Sequence, residues 1–302
     1  MHPSSLHSST TIRARALNED PGGDGVFFLA QESGLTLVEL IMTILIMGIL
    51  AAGTLSFVTS STQTYVDTAT RNQLSALGRS AIMKIDYAIS EAVPNTIRIK
   101  MSADKSEQCF EYLPMRSSAY YTQAPFSDVG ATVDVIHLAN TTGGDYALIY
   151  PMSAGEVYAE SNPGPIAGVS STTATAITLS NNHRFSSRSP GSRVYYAGAP
   201  VSFCITNNKL YRWQYVPAPT DTGYAFSSSQ CLPSQPAGCL PSSAPVRAMI
   251  ADGIDNAAAG LDAFEYEIAG LSNAGLFRVS LKFSDGNESV LIRHDIQIKN
   301  VQ

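Results

Sequence analysis

The sequence is short of charge and contains no run of basic residues. Only 15% of its 302 residues are Asp, Glu, Lys or Arg, and the formal net charge is −6. Binding to the phosphates of a nucleic acid needs a clustered basic surface, so we do not expect nucleic acid as a partner. With 44% hydrophobic residues, the chain nevertheless has the composition of a folded protein.

Recognisable catalytic motifs are also missing. The sequence has no G-x-S-x-G, no H-E-x-x-H and no glycine-rich phosphate loop. His137, His183 and His294 stand apart from any nucleophile or carboxylate motif. There is no C-x-x-C pair, which argues against a zinc site. We therefore expect a protein that is not an enzyme and that has no catalytic, cofactor-binding or metal-binding residues.

Calcium is the one metal for which the sequence offers a weak signal. The stretches DGIDN at 252–256 and SDGNES at 284–289 resemble calcium-binding loops. Neither has the ligand spacing of an EF-hand, and Asp-Gly is chiefly a turn signal. We expect turns at these positions.

Long apolar runs are absent except for one. The 19 residues from Leu40 to Val58, LIMTILIMGILAAGTLSFV, contain no charge. A helix of that length spans about 28 Å, close to the thickness of a bilayer's hydrocarbon core. The alternative is a buried helix of a soluble domain, but only Thr43, Thr54 and Ser56 would form its polar face. The run predicts a single membrane-spanning helix.

The residues before this run differ from an ordinary secretory signal. A standard signal peptide has its small-residue cleavage site after the apolar region. Here residues 1–34 are polar, and the small residues Ser33 and Gly34 come before the apolar run. Cleavage at that point would leave the apolar helix on the mature protein.

The stretch Gly34-Leu-Thr-Leu-Val-Glu39, followed by the apolar helix, resembles the prepilin signature of the type IV pilin and pseudopilin superfamily. The resemblance implies that residues 1–34 are a leader, that a prepilin peptidase cuts between Gly34 and Leu35, and that Leu35 is then N-methylated. Phenylalanine is the usual first mature residue, and Leu35 departs from it.

The same resemblance gives Glu39 a role in filament assembly. It implies that the carboxylate pairs with the N-terminal amine of a neighbouring subunit, because an unpaired charge in a membrane helix is costly. The alternative is that Glu39 reaches up to the lipid head groups and has no further role.

The chain after the apolar run continues with helical periodicity. Apolar residues recur at alternating steps of three and four, and Pro94 disfavours helical geometry at Val93. The pattern predicts one helix from about Leu35 to Ala92, with a transmembrane half at 35–58 and an amphipathic half at 59–93. We expect the second half to pack on a sheet rather than in a coiled coil. The residues of its apolar face are Leu74, Leu77, Ala81, Ile85, Ala88 and Ala92.

The sequence pattern of residues 94–302 is typical of β-strands. Short runs of β-branched and aromatic residues are separated by Gly, Pro, Asn and Ser, Asn207-Asn208 predicts a hairpin, and 217–245 predicts a proline-rich loop. The fold class predicted is α+β, type IV pilin-like, with a β-rich globular domain closed by a C-terminal antiparallel meander and large enough for a second β subregion around 120–200. The predicted strands are TIRIKM, QCFEYLPM, TVDVIHLA, YALIYPM, ATAITLS, RVYYAGAPVSFCIT, KLYRWQYV, LDAFEYEIA, LFRVSLKFS and SVLIRHDIQIK.

The chain has four cysteines, an even number in a domain expected outside the cytoplasm, where disulfides are permitted. Cys231 and Cys239 bracket part of the proline-rich loop, whereas Cys109 and Cys204 lie in strand-like runs. Of the three possible connectivities, we predict Cys109–Cys204 and Cys231–Cys239.

Two further stretches narrow the resemblance. The segment FVTSSTQTYVDTATRNQLSALGR…AISEAVPNTIRI and the ending RHDIQIKNVQ look like the MshO-type minor prepilins of the mannose-sensitive haemagglutinin (MSHA) pilus system. This implies a minor pilin involved in pilus biogenesis, with other pilins, the prepilin peptidase, an inner-membrane assembly platform and, before assembly, the bilayer as partners. It would be a single-pass inner-membrane protein with a periplasmic domain that later enters a surface pilus or a periplasmic pseudopilus. The alternatives are a J-type minor pseudopilin of type II secretion and an adhesin displayed on the filament.

Overall fold

The structure, a computed structural model, describes residues 36–139, 145–214, 246–268 and 275–298. Gly34, Leu35, Cys231 and Cys239 and the predicted proline-rich loop lie outside these residues. The chain divides into two compact units, Met1–Thr59 and Ser60–Gln302. An α-helix, α1, covers Leu37–Ser90. It is followed by antiparallel β-structure, as the predicted α+β class requires.

The part of α1 in the first unit is apolar and exposed. It is long and apolar enough to cross a bilayer, and none of that stretch is buried. Among the described residues of this unit, its side chains have no protein core to enter. Among the described residues it is the one candidate for a membrane span.

In the second unit, α1 buries one face. The buried residues recur at helical spacing, so one stripe of the helix faces the sheets. The helix ends at Ser90, two residues before the predicted end. The reason is that the following residues bond to another segment: the N–H of Val93 donates to Leu113 O at 2.9 Å, and Met115 N–H donates to Glu91 O at 2.8 Å. The buried residues are Leu74, Gly78, Ala81, Ile82, Ile85, Ala88 and Ile89.

One sheet has five antiparallel strands in the order β1-β2-β9-β10-β11. The turn between β9 and β10 is the predicted hairpin: Asn207 and Asn208 have φ values of 51° and 60°, as a two-residue type I′ turn requires. The strands are β1 Arg98–Met101, β2 Gln108–Tyr112, β9 Val201–Thr206, β10 Lys209–Gln214 and β11 Val246–Ala251.

A second sheet has three strands in the order β12-β13-β14. These are β12 Phe264–Glu267, β13 Gly275–Asp285 and β14 Glu288–Ile298, and each pairs antiparallel with the next. Gly286 makes the tight turn between β13 and β14 with a φ of +57°, a conformation that favours glycine. The C-terminal meander predicted from the sequence is confirmed.

The two sheets and the second half of α1 share one hydrophobic core. Phe110 of β2 lies at its centre. Its ring centroid is 5.0 Å from that of Phe203 in the same sheet, and 4.8 Å and 4.9 Å from those of Phe264 and Phe277 in the other sheet. Aromatic pairs at such distances stabilise a core beyond simple area burial.

Between β2 and β9, the chain forms a closed barrel of strands in the order β3-β4-β7-β6-β5-β8. The sequence predicted a second β subregion around 120–200, but it did not predict that the strands close into a barrel. It also did not predict β3, β6, β11 or the short helix α2, Ala154–Tyr158. The barrel has a core of its own. Its strands are β3 Met115–Gln123, β4 Gly130–Val135, β5 Tyr146–Ile149, β6 Ile166–Thr172, β7 Ala176–His183 and β8 Arg193–Ala197.

Candidate functional site

The first turn of α1 is organised by Thr36. The Thr36 hydroxyl oxygen accepts a hydrogen bond from the backbone N–H of Glu39 at 3.3 Å, and the Thr36 carbonyl accepts one from Leu40 at 3.1 Å. Thr-x-x-Glu at a helix start is the capping-box pattern. Sequence reasoning missed this role of Thr36, although the pattern was there to find.

Glu39 lies in that first turn and is the acidic residue there. A negative charge at this position is favoured by the partial positive charge of the helix N-terminus. It is also the only charged residue from Thr36 to Val66. An unpaired carboxylate in the centre of a membrane helix costs about 2.5–3.5 kcal/mol, and the cost is lower near a helix end such as this one. The exposed Glu39 side chain is therefore a group that a cation on another molecule can stabilise.

Two polar residues of the apolar stretch of α1, Thr43 and Thr54, are already bonded within the helix. The hydroxyl of Thr43 donates to the carbonyl of Leu40 at 2.8 Å, and that of Thr54 donates to Leu50 at 2.7 Å. These threonines therefore satisfy their hydrogen bonds inside the helix. The exposed surface of the first part of α1 is apolar, as a helix that crosses a bilayer requires.

The Cys109–Cys204 disulfide, predicted from the sequence, is present. The two residues lie directly opposite each other on β2 and β9. Both are buried, and Trp213 of β10 packs against them. The disulfide therefore clamps the centre of the five-stranded sheet.

A buried ion pair joins this sheet to the barrel side of the molecule. Nη2 of Arg98 lies 2.6 Å from Oε1 of Glu111, and the hydroxyl of Ser202 donates to Oε2 of Glu111 at 2.9 Å. The Arg98 guanidinium stacks at 3.6 Å on the ring of Tyr158, in α2. Such a pair fixes geometry rather than adding much net stability. It is a structural joint that the sequence gave no means of predicting.

The histidines noted in the sequence do not come together. His183 Nε2 lies 3.0 Å from the carbonyl oxygen of Gly164, and His294 Nε2 lies 3.7 Å from a carboxylate oxygen of Asp86 on α1. Within the described ranges, no three His, Cys, Asp or Glu side chains are placed to hold a metal ion.

The two stretches that resemble calcium loops do meet in the structure. The N–H of Ser284 donates to the carbonyl of Gly253 at 2.8 Å. Their carboxylates nevertheless face lysines: Asp252 lies 3.0 Å from Lys209, and Asp255 lies 3.5 Å from Lys282. These contacts hold the turns beside β13.

The turn between β1 and β2 contains Asp104, an exposed carboxylate with a strongly lowered pKa. The hydroxyls of Ser102 and Ser106 donate to Asp104, which lowers the pKa of the Asp104 carboxyl to about 2. The backbone N–H of Ser106 donates to the same oxygen at 3.2 Å. The charge closes the turn between β1 and β2.

Comparisons of the chain with protein-family models, with curated proteins and with solved structures found no match in any of the three. The fold itself defines the class: an α+β protein with a long apolar N-terminal helix followed by antiparallel β-sheets. Among the described residues, one candidate membrane-spanning helix at the N-terminus is consistent with single-pass anchoring in a membrane.

Proposed function

We propose that this protein is a minor pilin, a structural subunit that acts in the biogenesis of a type IV pilus of the MSHA type. The observation that carries the proposal is Glu39, the lone charge in the first turn of an exposed apolar helix. The second half of the same helix packs on antiparallel sheets, which is compatible with a pilin-like architecture.

The proposed mechanism depends on the charge at the start of the helix. Cleavage between Gly34 and Leu35 creates an ammonium group next to the capped first turn, and methylation follows at Leu35. In the membrane, both this cation and the Glu39 carboxylate favour partners of opposite charge, since isolated charges are costly there. Stacking of subunits, with the carboxylate of one on the amine of the next, satisfies both groups and selects correctly aligned neighbours.

The proposed cellular path follows from this mechanism. The chain is first an inner-membrane protein whose globular domain is periplasmic, in contact with the bilayer, the prepilin peptidase and the assembly platform. It then enters or primes a filament of major and minor pilins. No enzymatic activity is proposed.

A J-type minor pseudopilin of type II secretion is the second candidate. The observation in its favour is the size of the globular part, which contains a complete barrel besides the two sheets. Such a subunit would use Glu39 in the same way, but its filament would stay in the periplasm.

The role of Glu39 is tested by Glu39→Ala in cells that assemble the filament. We expect the variant to be processed and inserted normally, but its amount in filaments to fall at least about tenfold, which corresponds to about 1.4 kcal/mol. Thr43→Val is the matched control, because it lies one turn further along the same face and its hydroxyl bonds within the helix. Normal incorporation of Glu39→Ala would contradict the pairing.

The processing site and the type of filament are tested by mass spectrometry of sheared filaments and of membranes. A methylated N-terminus at Leu35 in sheared filaments supports the pilus. The same N-terminus in membranes alone favours the secretion pseudopilus. Gly34→Leu should block maturation, and an uncut leader on the unaltered protein in both fractions would refute the proposal.

A further inference from the structure

The two sheets end in strands with one unpaired side. Among the described residues, β11 pairs only with β10, and β14 pairs only with β13. The inner ends of the two sheets, β1 and β12, lie against each other. A strand edge presents a row of backbone donors and acceptors that can pair with another extended chain. The β11 edge and the β14 edge are therefore the two places where a strand could be added.

The β14 edge carries the protection that exposed edges usually have. Arg293, His294 and Asp295 are consecutive charged or ionisable residues near its middle, and all three are exposed. An ion pair between Arg71 and Glu288 and a contact of 3.7 Å between His294 and Asp86 also join this strand to α1. Charges on an edge strand oppose pairing with another chain.

Within the described ranges, the β11 edge has little of this protection. Its sequence, VRAMIA, has Arg247 as its one charged residue and no proline. Met249 is 57% exposed on the outer face of this edge, opposite Tyr211 of β10, whereas Met83 and Tyr87 of α1, on the inner face, are 67% and 64% exposed. Large apolar side chains are therefore exposed on both faces of the β11 edge, and contiguous apolar surface of this kind marks interaction sites.

A groove of about 400 Å³ runs between α1 and the inner face of this edge. Phe203, Ile250 and Ala88 form much of its apolar lining. Such a groove can accept every second side chain of an added strand, because side chains alternate between the two faces of a sheet.

The charges around the groove favour an acidic occupant. Lys84 on α1 and Arg212 on β10 line it, and no described residue forms an ion pair with Lys84. Arg247 adds a third cation on the outer face, where its guanidinium stacks at 3.8 Å on Tyr211. The one carboxylate in the groove, Glu91, already accepts a hydrogen bond from Tyr87.

We propose that the β11 edge binds an extended segment of another subunit of the filament, with apolar side chains at alternate positions and acidic side chains near them. An edge that is unpaired among the described residues suits an extended partner, and the groove takes its apolar side chains. Lys84 and Arg212 attract acidic side chains on the groove side, and Arg247 attracts them on the outer face. The inference rests on the proposed function in one respect only, which is that this chain is assembled next to other subunits.

The test is photo-crosslinking of the full-length protein in cells. A photoreactive amino acid replaces Met249 in one variant and, as the matched control, Leu291 on the β14 edge, which is 43% exposed. We expect the Met249 variant to form an adduct that maps by mass spectrometry to one contiguous apolar and acidic segment of another subunit. The Leu291 variant should form at least about tenfold less of it.

Two further substitutions test the physical basis of binding. Ala248→Glu adds to the edge a charge that repels acidic side chains, and Lys84→Glu reverses a cation of the groove; each should lower the adduct yield at Met249 at least about threefold. An adduct confined to residues 215–245 of the same chain, equal yields at the two edges, or no adduct would overturn the inference. N-terminal maturation at Leu35, measured in the same samples, reports separately on the proposed function.

Discussion

Gly78 offers a direct test of how α1 is held on the β domain. It lies in the middle of the helix, buried against β13 and β14. A Cβ atom added there would overlap Cδ1 of Ile292 and would lie 3.0 Å from Cε2 of Phe283. Replacing glycine by alanine in an open helix position stabilises the helix by about 1 kcal/mol. At Gly78 the overlap opposes that gain.

The size of the opposing effect follows from the two neighbours. Phe283 is fully buried and cannot move away without disturbing the core, whereas Ile292 is partly buried and its terminal methyl can shift. Overpacking of a core costs about 1–3 kcal/mol. Subtracting the gain in helix propensity, we expect Gly78→Ala to destabilise the protein by about 0–2 kcal/mol.

A double-mutant cycle separates the overlap from other effects. Ile292→Val removes Cδ1, the atom that the new methyl would meet, and by itself should cost about 0.5–1.5 kcal/mol. In the double variant the overlap with Ile292 is relieved. We therefore expect it to be no less stable than Gly78→Ala alone, within about 0.5 kcal/mol.

The measurement is urea unfolding of the full-length protein in detergent, followed by the fluorescence of its single tryptophan, Trp213. The four chains of the cycle are compared at one temperature and pH. If the two single effects simply add, Gly78 and Ile292 are not coupled. If Gly78→Ala gains the full 1 kcal/mol of helix propensity, the close approach of helix and sheet is refuted.

Three other predictions concern polar groups. Glu111→Ala removes the carboxylate that pairs with Arg98 in a buried site and should cost about 3–5 kcal/mol in urea unfolding, whereas Arg278→Ala, at exposed ion pairs, should cost much less; equal costs would contradict the burial argument. Ser106→Ala should raise the pKa of Asp104 from about 2 toward its ordinary 3.8 in an NMR titration. Because this pKa is depressed by folding, the charged Asp104 stabilises its turn above about pH 4, and the effect is lost as the pH falls toward 2. Thr36→Val should speed hydrogen exchange at the first turn of α1 at constant global stability, and unchanged exchange would argue against the cap.

Much of the fold could be predicted because it depends on patterns between residues that are near each other in the sequence. Helix α1 shows steps of three and four residues, the C-terminal strands alternate apolar and polar residues, and Asn207-Asn208 encodes a hairpin turn. The pairing of Cys109 with Cys204 was also within reach, because both lie in strands and few pairings were possible.

The barrel was harder to predict because its signal is not local. The sequence of β3, MRSSAYYTQ, is mostly polar and resembles that of a loop. Only Ala119 and Tyr121 of this strand are buried. Its closure depends on the pairing of β3 with β8, strands that are far apart in the sequence. The same holds for the Arg98–Glu111 joint, since nothing near either residue shows that Tyr158 will cover it. The candidate site was predicted at Glu39, but its cap at Thr36 was not.

The barrel is inserted between two neighbouring strands of the five-stranded sheet, and this position affects which sequence changes the fold can tolerate. The chain leaves the sheet after Tyr112 and re-enters it at Val201, and these two residues are register partners in adjacent strands. The Cys109–Cys204 bond already holds those strands together, so the sheet does not need the intervening residues to set its alignment. Long insertions at such a point add little entropic cost. Residues 116–200 can therefore change in length and outer surface, provided that Tyr158 keeps its contact with Arg98 and that Leu113 and Met115 keep their bonds to the end of α1.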